Sequence, residues 1–135
     1  IGIRKKDSHD YSKKREIDYA TGCCVCMRTK DFESIGMFDE SFLMYAEDVD
    51  LSLRFKKRGG SIVFIPESKV WHKVSASMGG QYSIAKWKRK QNAKFKLLAK
   101  YVNPIQGVIA FPIAMIIGII ELILLIIKIV SRKKK

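Results

Sequence analysis

The longest apolar pattern in the chain lies near its end. Residues 108–130 are nearly all Ile, Leu, Val, Ala, Phe or Met, and at about 1.5 Å per residue such a helix can cross a hydrocarbon core of about 30 Å. Lys128 can extend to the membrane surface, whereas Glu121 lies deeper and needs protonation, a partner or an interfacial position. The pattern predicts a membrane anchor with a basic tail over residues 104–135. Because both flanks are basic, their charges leave open whether the anchor crosses the membrane or lies at its interface.

A second helical pattern precedes the anchor and differs from it by being basic. Between Tyr82 and Tyr101, Lys and Arg alternate with apolar residues at helical spacing, including Trp87 and Phe95. Cations contact anionic lipid and aromatic rings favour the interface, so residues 81–103 are predicted to form a basic amphipathic helix on a membrane. The net charge of +13 would also suit nucleic acid, but the apolar segment that follows favours membrane lipid as partner and no nucleic acid.

The remaining part of the chain is organised around the acidic and aromatic stretch from Phe38 to Arg54. A helical pattern begins at Glu47 and ends in a basic turn before Gly59. Glu47 and Asp48 therefore fall in the first turn, where unpaired backbone N–H groups and the helix dipole favour negative charge. Neighbouring helical residues point about 100° apart, so the two carboxylates cannot face one cleft, and one of them is expected to cap the helix. Acidic first turns are common, so the open alternative is that both residues only cap the helix.

Shorter elements surround this stretch. Residues 1–16 have no periodicity and predict a polar loop or linker, and Thr29 is expected to cap a short helix, Lys30 to Ile35, that Gly36 ends. Residues 62–65 and 70–72 predict two short strands.

The three cysteines are close together in the predicted strand Cys23–Met27. Their spacing lacks the Cys-x-x-Cys pattern of zinc sites, and no second pair completes a set of four ligands. We therefore expect buried, reduced thiols that pack as small apolar side chains. Such thiols are typical of a chain on the cytosolic side of a membrane.

The motifs of the central region appear in a characteristic order: Thr21-Gly22, then Arg28, then Ile35 to Phe42, then Tyr45 to Arg54. This order resembles the second half of family 2 glycosyltransferases of the rhamnosyltransferase-like type. The resemblance covers about Asp18 to His72 and continues loosely to Arg89 and Asn92, where Lys90-Gln91 separates a pair that the family often carries together. It implies an α/β fold, with residues 17–80 forming the acceptor-side half of a GT-A domain.

The resemblance also implies roles for particular residues. The Glu-Asp pair marks the acceptor side of the active site, so Asp48 would be the general base, with Glu47 beside it. Gly22, Tyr45 and Trp71 would contact substrate. His72 would ligate a divalent metal, Mn or Mg, whose other ligands would come mostly from an upstream half; a packed or hydrogen-bonded His72 is the open alternative.

The activity implied by the resemblance is inverting transfer of a sugar from a nucleotide-sugar donor to a hydroxyl of a glycan or lipid-linked acceptor. The nucleotide-binding half would lie upstream of Ile1, so we expect a fragment, and the absence of an initiator Met agrees with this. The catalytic part would be membrane-associated on the cytoplasmic side. Two alternatives remain open: a non-catalytic membrane adaptor derived from a glycosyltransferase half, and a basic nucleic-acid binder.

Overall fold

A computed structural model describes residues 11–71 and 83–133. The chain divides into two compact units. The first unit combines Ile1–Asp39 with Glu47–His72, and the second combines Glu40–Ala46 with Lys73–Lys135. The described residues are mostly helical and contain one small sheet, so the expected α/β architecture of a GT-A domain is not confirmed by the fold. The elements, in chain order, are β1 (Arg15–Glu16), α1 (Thr29–Ser34), α2 (Glu47–Lys57), β2 (Val63–Phe64), α3 (Ile84–Tyr101) and α4 (Pro104–Lys133).

The sheet of the first unit pairs β1 with β2 in antiparallel register, with Arg15 opposite Phe64. The Ile17 N–H continues the ladder by donating to the Ile62 carbonyl at 2.9 Å. The predicted linker over residues 1–16 is therefore wrong at its end, where a strand forms. The strand predicted at residues 62–65 is confirmed in its middle, whereas Val70 and Trp71 lie outside any strand.

The strand predicted at Cys23–Met27 is wrong. The segment has no regular structure, and all three cysteines are free and exposed. No neighbouring strand pairs with it; the backbone instead turns, with the Cys24 N–H donating to the Thr21 carbonyl at 3.3 Å. An apolar run predicts a buried strand only where a partner strand covers it, and within the described residues this run has none.

The short helix α1 begins one residue earlier than predicted. Arg28 occupies the N-cap position, and Thr29 makes no capping hydrogen bond because it lies inside the helix. The predicted end at Gly36 is confirmed, since Gly36 follows the helix with a φ of 83° that favours glycine. Phe32 packs edge-on against Phe38, with 5.4 Å between ring centroids, and fixes the helix to the turn that follows.

Helix α2 confirms the predicted start at Glu47, with an acidic first turn and a basic last turn. It ends at a glycine in the left-handed region, because Gly59 has a φ of 83° and donates its N–H to the Lys56 carbonyl at 2.9 Å. A methyl group at Gly60 would lie 2.5 Å from the Phe55 ring, so this position also requires glycine. Leu51 is the buried apolar residue of α2.

The second unit contains the two long helices that the sequence predicts. Ser83 caps α3 by accepting the Lys86 N–H at 3.4 Å, and Asn103 caps α4 by accepting the Gln106 N–H at 2.9 Å. Pro104 fits the first turn of α4 because that position has no helical N–H partner to lose. Within the described part of the chain, α4 is the single helix long and apolar enough to cross a membrane.

Candidate active site

The Asp48 carboxylate is held by two backbone N–H groups at the start of α2. Its Oδ2 accepts the Gly22 N–H at 2.9 Å, and its Oδ1 accepts the Val49 N–H at 2.8 Å. A carboxylate offers about four acceptor positions, so these bonds leave capacity for another donor. Asp48 is half-buried, and its two bonds fix its orientation without enclosing it.

The segment before Gly22 is tied to the same face of α2. Ser52, one turn after Asp48, donates its hydroxyl to the Asp48 carbonyl at 2.7 Å and accepts the Ala20 N–H at 3.2 Å. Residues four apart lie on one face of a helix, so Asp48 and Ser52 together hold the loop over residues 20–22. The structure thus brings together Gly22 and Asp48, which are 26 residues apart in the sequence.

Glu47 occupies a different environment from its neighbour. Its Oε2 atom is buried and has no hydrogen-bond partner among the described residues. The backbone immediately before it is unusual, because Tyr45 and Ala46 have φ values of 70° and 65°. Consecutive non-glycine residues in the left-handed region cost free energy and concentrate at functional sites. Glu47 therefore begins α2 with an unsatisfied carboxylate oxygen, and the backbone of the two residues before it is strained.

Asp50 is the buried, structural side chain of α2 that the sequence analysis missed. It is fully buried, and its Oδ2 accepts the Arg54 Nε–H at 2.8 Å. Arg54 then donates to the carbonyls of Ile35 and Met37, the latter at 2.6 Å. The pair fixes the turn after α1 onto α2, on the side of the helix away from Asp48. The signal was present, since opposite charges four residues apart on a helix interact.

A cleft of about 820 Å³ lies beside α2 within the first unit. Thr21, Ser52 and Phe55 are among its lining residues, and it also includes two of the exposed thiols, Cys24 and Cys26. Asp48 does not line the cleft. It lies one helical turn before Ser52 on the same face, next to Thr21 through its bond to Gly22.

The other predicted site residues are less closely connected to Asp48. Tyr45 belongs to the second unit, where the Lys90 ammonium lies 5.6 Å from its ring centroid. Trp71 is 92% exposed. His72, the predicted metal ligand, lies outside the described residues. The roles of these three residues in substrate or metal binding stay predictions.

The described residues do not by themselves fit a divalent metal. No group of three or more His, Cys, Asp or Glu side chains lies close enough together in residues 11–71 and 83–133 to hold such an ion. Asp48 and Asp50 point to opposite faces of α2, and Asp50 is already paired with Arg54.

A comparison with protein families decides where this arrangement belongs. The family model described as glycosyl transferase family group 2 matches residues 15–130, which include all of α2 and the segment that contains Gly22. The chain belongs to this family. The resemblance of the Gly22 and Glu47-Asp48 motifs to family 2 glycosyltransferases of the rhamnosyltransferase-like type is thereby confirmed.

Individual relatives of this family 2 chain are bacterial. It is 38% identical over 66 residues to an N-acetylglucosaminyl-diphospho-decaprenol L-rhamnosyltransferase of Mycobacterium tuberculosis, an alignment of 49% of this chain and 22% of that protein. It is 29% identical over 85 residues to the rhamnosyltransferase WbbL of Escherichia coli, covering 62% of this chain and 31% of the relative. With an O-antigen biosynthesis protein RfbC of Myxococcus xanthus it shares 40% identity over 57 residues, 42% of this chain and 4% of that one.

These alignments cover a minority of each relative. The family 2 chain spans less than a third of the length of the curated proteins it matches. No solved structure matches it. The family is thus shown for most of this chain, whereas the activity of a whole transferase belongs to the proposal that follows.

Proposed function

We propose that this chain forms the acceptor side of an inverting glycosyltransferase, with Asp48 as the general base. The observation that carries the proposal is the carboxylate of Asp48, fixed by the N–H groups of Gly22 and Val49 in a chain of glycosyl transferase family group 2. A general base must be oriented and within hydrogen-bond reach of the proton it takes. Asp48 is oriented by protein groups and retains acceptor capacity for a substrate hydroxyl.

The proposed reaction is a direct displacement at the anomeric carbon. An acceptor hydroxyl donates a hydrogen bond to Asp48, its oxygen forms a bond to the anomeric carbon, and the proton passes to the carboxylate. The bond between the anomeric carbon and the diphosphate oxygen of a nucleotide-sugar donor breaks, and the diphosphate leaves with that electron pair. Attack from the face opposite the leaving group inverts the anomeric centre. The donor would be held by a part of the longer relatives that this chain does not span.

The proposed acceptor is a sugar linked to a polyprenyl diphosphate. The name of the Mycobacterium tuberculosis relative specifies such an acceptor and L-rhamnose as the transferred sugar. Helix α4 supports a lipid-linked substrate, because it could anchor the chain to the membrane that holds the acceptor. Three free, exposed cysteines support a reducing compartment, so we place the catalytic part on the cytoplasmic side.

The test is Asp48→Asn in the protein extended to the length of its relatives. Asn preserves the size of the side chain but cannot take a proton from an acceptor, so transfer should fall by about 10²–10⁴-fold while nucleotide-sugar binding is unchanged. Transfer is measured with nucleotide-activated L-rhamnose and a polyprenyl diphosphate N-acetylglucosamine, and donor binding by calorimetry.

Two variants serve as controls. Glu33→Gln removes an exposed carboxylate of α1 and should leave transfer unchanged. Glu47→Gln tests the neighbouring carboxylate, whose buried oxygen lacks a partner. Near wild-type turnover of Asp48→Asn, together with a large loss in Glu47→Gln, would assign the base to Glu47 and overturn the role of Asp48.

A further inference from the structure

Helices α3 and α4 form an antiparallel hairpin, Ile84 to Lys133, joined by polar contacts along its length. The Trp87 indole N–H donates to the Gly118 carbonyl at 3.2 Å, and the Lys94 ammonium donates to the Ala114 carbonyl at 3.2 Å. Gln91, which lies between Trp87 and Lys94 in α3, donates its amide N–H to Glu121 Oε2 at 2.7 Å. The Glu121 carboxylate, the one acidic group in the apolar helix, therefore has its partner on α3.

The face of α4 that contacts α3 is formed by small residues. Gly107, Ala114 and Gly118 are buried and lie at spacings that place them on one side of the helix. A methyl group at Gly118 would lie 2.7 Å from Gln91 Oε1, so alanine there would displace the end of the Gln91 side chain that is bonded to Glu121. The rings of Phe95 and Phe111 stack with 6.1 Å between centroids on the side of this contact nearer the connection between the two helices.

The two helices present opposite surfaces away from this contact. Every other side of α4 exposes large apolar residues, for example Ile109, Ile116 and Ile127, which are 67%, 57% and 54% exposed. Helix α3 carries seven cations and no acidic residue. Lys94 takes part in the contact with α4, and the other six are Lys86, Lys88, Arg89, Lys90, Lys96 and Lys100. The hairpin is thus an apolar rod covered along one side by a basic helix. The apolar surface of α4 is complementary to lipid acyl chains, and the basic surface of α3 is complementary to anionic head groups.

The hairpin cannot cross a membrane while its helices stay paired. Contacts with α3 extend as far as Glu121, so a crossing α4 would carry the cations of α3 into the hydrocarbon core, where they are strongly unfavourable. The twelve residues of α4 after Glu121 extend about 18 Å at about 1.5 Å per residue, whereas the core is about 30 Å thick. The unpaired end is therefore too short to span alone.

We propose that the hairpin lies within one leaflet of an anionic phospholipid bilayer, with α4 at the acyl boundary, α3 among the head groups and both ends on the same side. This inference uses the membrane attachment proposed above but not the chemistry of Asp48. The basic flanks of α4 do not decide whether it crosses the membrane, whereas the contacts of Gln91, Trp87 and Lys94 favour an interfacial over a crossing anchor.

The test determines the side of each end of the full chain. One epitope tag with a specific protease site is placed before Ile1 and another after Lys135, and the chain is produced in a bacterium. Spheroplasts expose the outer face of the inner membrane, and inverted vesicles expose its inner face. We expect both tags to be cleaved in one preparation and both to be protected in the other. Cleavage of the two tags in opposite preparations shows that α4 crosses and overturns the inference.

A second measurement tests the pairing of the helices within the membrane. Gln91→Leu removes the partner of Glu121, whereas Asn92→Leu makes the same change in the neighbouring residue, which is exposed. On vesicles of phosphatidylglycerol, limited trypsin digestion should cleave α3 several-fold faster in Gln91→Leu than in Asn92→Leu. Equal rates in the two variants contradict the paired hairpin. Recovery of the wild-type chain in the soluble fraction rather than with the vesicles contradicts both the hairpin's location and the membrane attachment.

Discussion

The contacts inside the first unit differ in kind from the contacts inside the second unit. In the first unit, single polar groups join segments far apart in sequence: Gly22 reaches Asp48 across 26 residues, and Ala20 reaches Ser52 across 32. In the second unit, α3 and α4 contact each other repeatedly along adjoining helices. In the first unit, the effect of a substitution on stability should therefore depend on the single hydrogen bond that it removes. In the second unit the effect should depend on which face of the helix it alters.

The largest expected effect on stability is at the buried ion pair of the first unit. Asp50→Ala leaves Arg54 without its buried partner and should lower the free energy of unfolding by about 3–5 kcal/mol. Denaturant titration followed by circular dichroism measures the change, with the exposed Glu33→Gln as the matched control. A loss below about 1 kcal/mol, the range of an exposed pair, would show that Asp50 does not hold the turn after α1.

The next effect compares two glycines of α4. A methyl group at Gly118 would meet Gln91 at 2.7 Å, whereas at Gly107 it would meet Phe111 at 3.5 Å, an ordinary contact. Gly118→Ala should therefore displace the Gln91 amide from Glu121 and destabilise the hairpin by about 1–3 kcal/mol. Gly107→Ala should be neutral or stabilising by up to about 1 kcal/mol, because alanine favours helix. Thermal unfolding in detergent measures both, and equal effects would mean that α3 does not pack on the Gly118 face.

The smallest effect is expected at the surface of α1. Arg28 contacts Asp31 at 2.8 Å, but the arginine side chain is 86% exposed and the aspartate 33% exposed. Solvent screening limits such a pair, so Arg28→Gln should change the free energy of unfolding by less than about 1 kcal/mol. Denaturant titration at low and high salt checks it. A larger, salt-independent loss would indicate that Arg28 supports the cleft that it also lines.

The sequence predicted the elements whose signals are local. Helix α2 has helical periodicity and the Gly59 stop, α3 has helical periodicity with basic residues, and α4 is a long apolar run, so each could be predicted from its own residues. The family was also predictable, because the Gly22 and Glu47-Asp48 motifs are specific in type and order.

Features that depend on distant partners were not predictable. The segment Cys23–Met27 has the composition of a buried strand but no strand to pair with in residues 11–71 and 83–133, and it forms a loop with exposed thiols. The spacing of Asp50 and Arg54 indicates that they can pair, but it does not indicate that Asp50 is buried. That burial accompanies the bonds from Arg54 to the distant carbonyls of Ile35 and Met37. Likewise, the sequence does not explain an acidic residue within an apolar helix, whereas the structure gives Glu121 a hydrogen-bond partner, Gln91.

Comparing Asp48→Asn with Asp50→Asn tests most directly the assignment of catalysis to one face of α2 and folding to the other. The measured quantity is the rate of sugar transfer per folded molecule, with the folded fraction taken from thermal unfolding of the protein at the length of its relatives. We predict that Asp48→Asn lowers this rate by about 10²–10⁴-fold, because the base is removed, and lowers the free energy of unfolding by only about 1 kcal/mol, because one of the two backbone hydrogen bonds to the carboxylate is lost. Asp50→Asn should lose folded protein but keep a near wild-type rate per folded molecule. A near wild-type rate for Asp48→Asn, or a catalytic loss as large in folded Asp50→Asn, would contradict this division of roles.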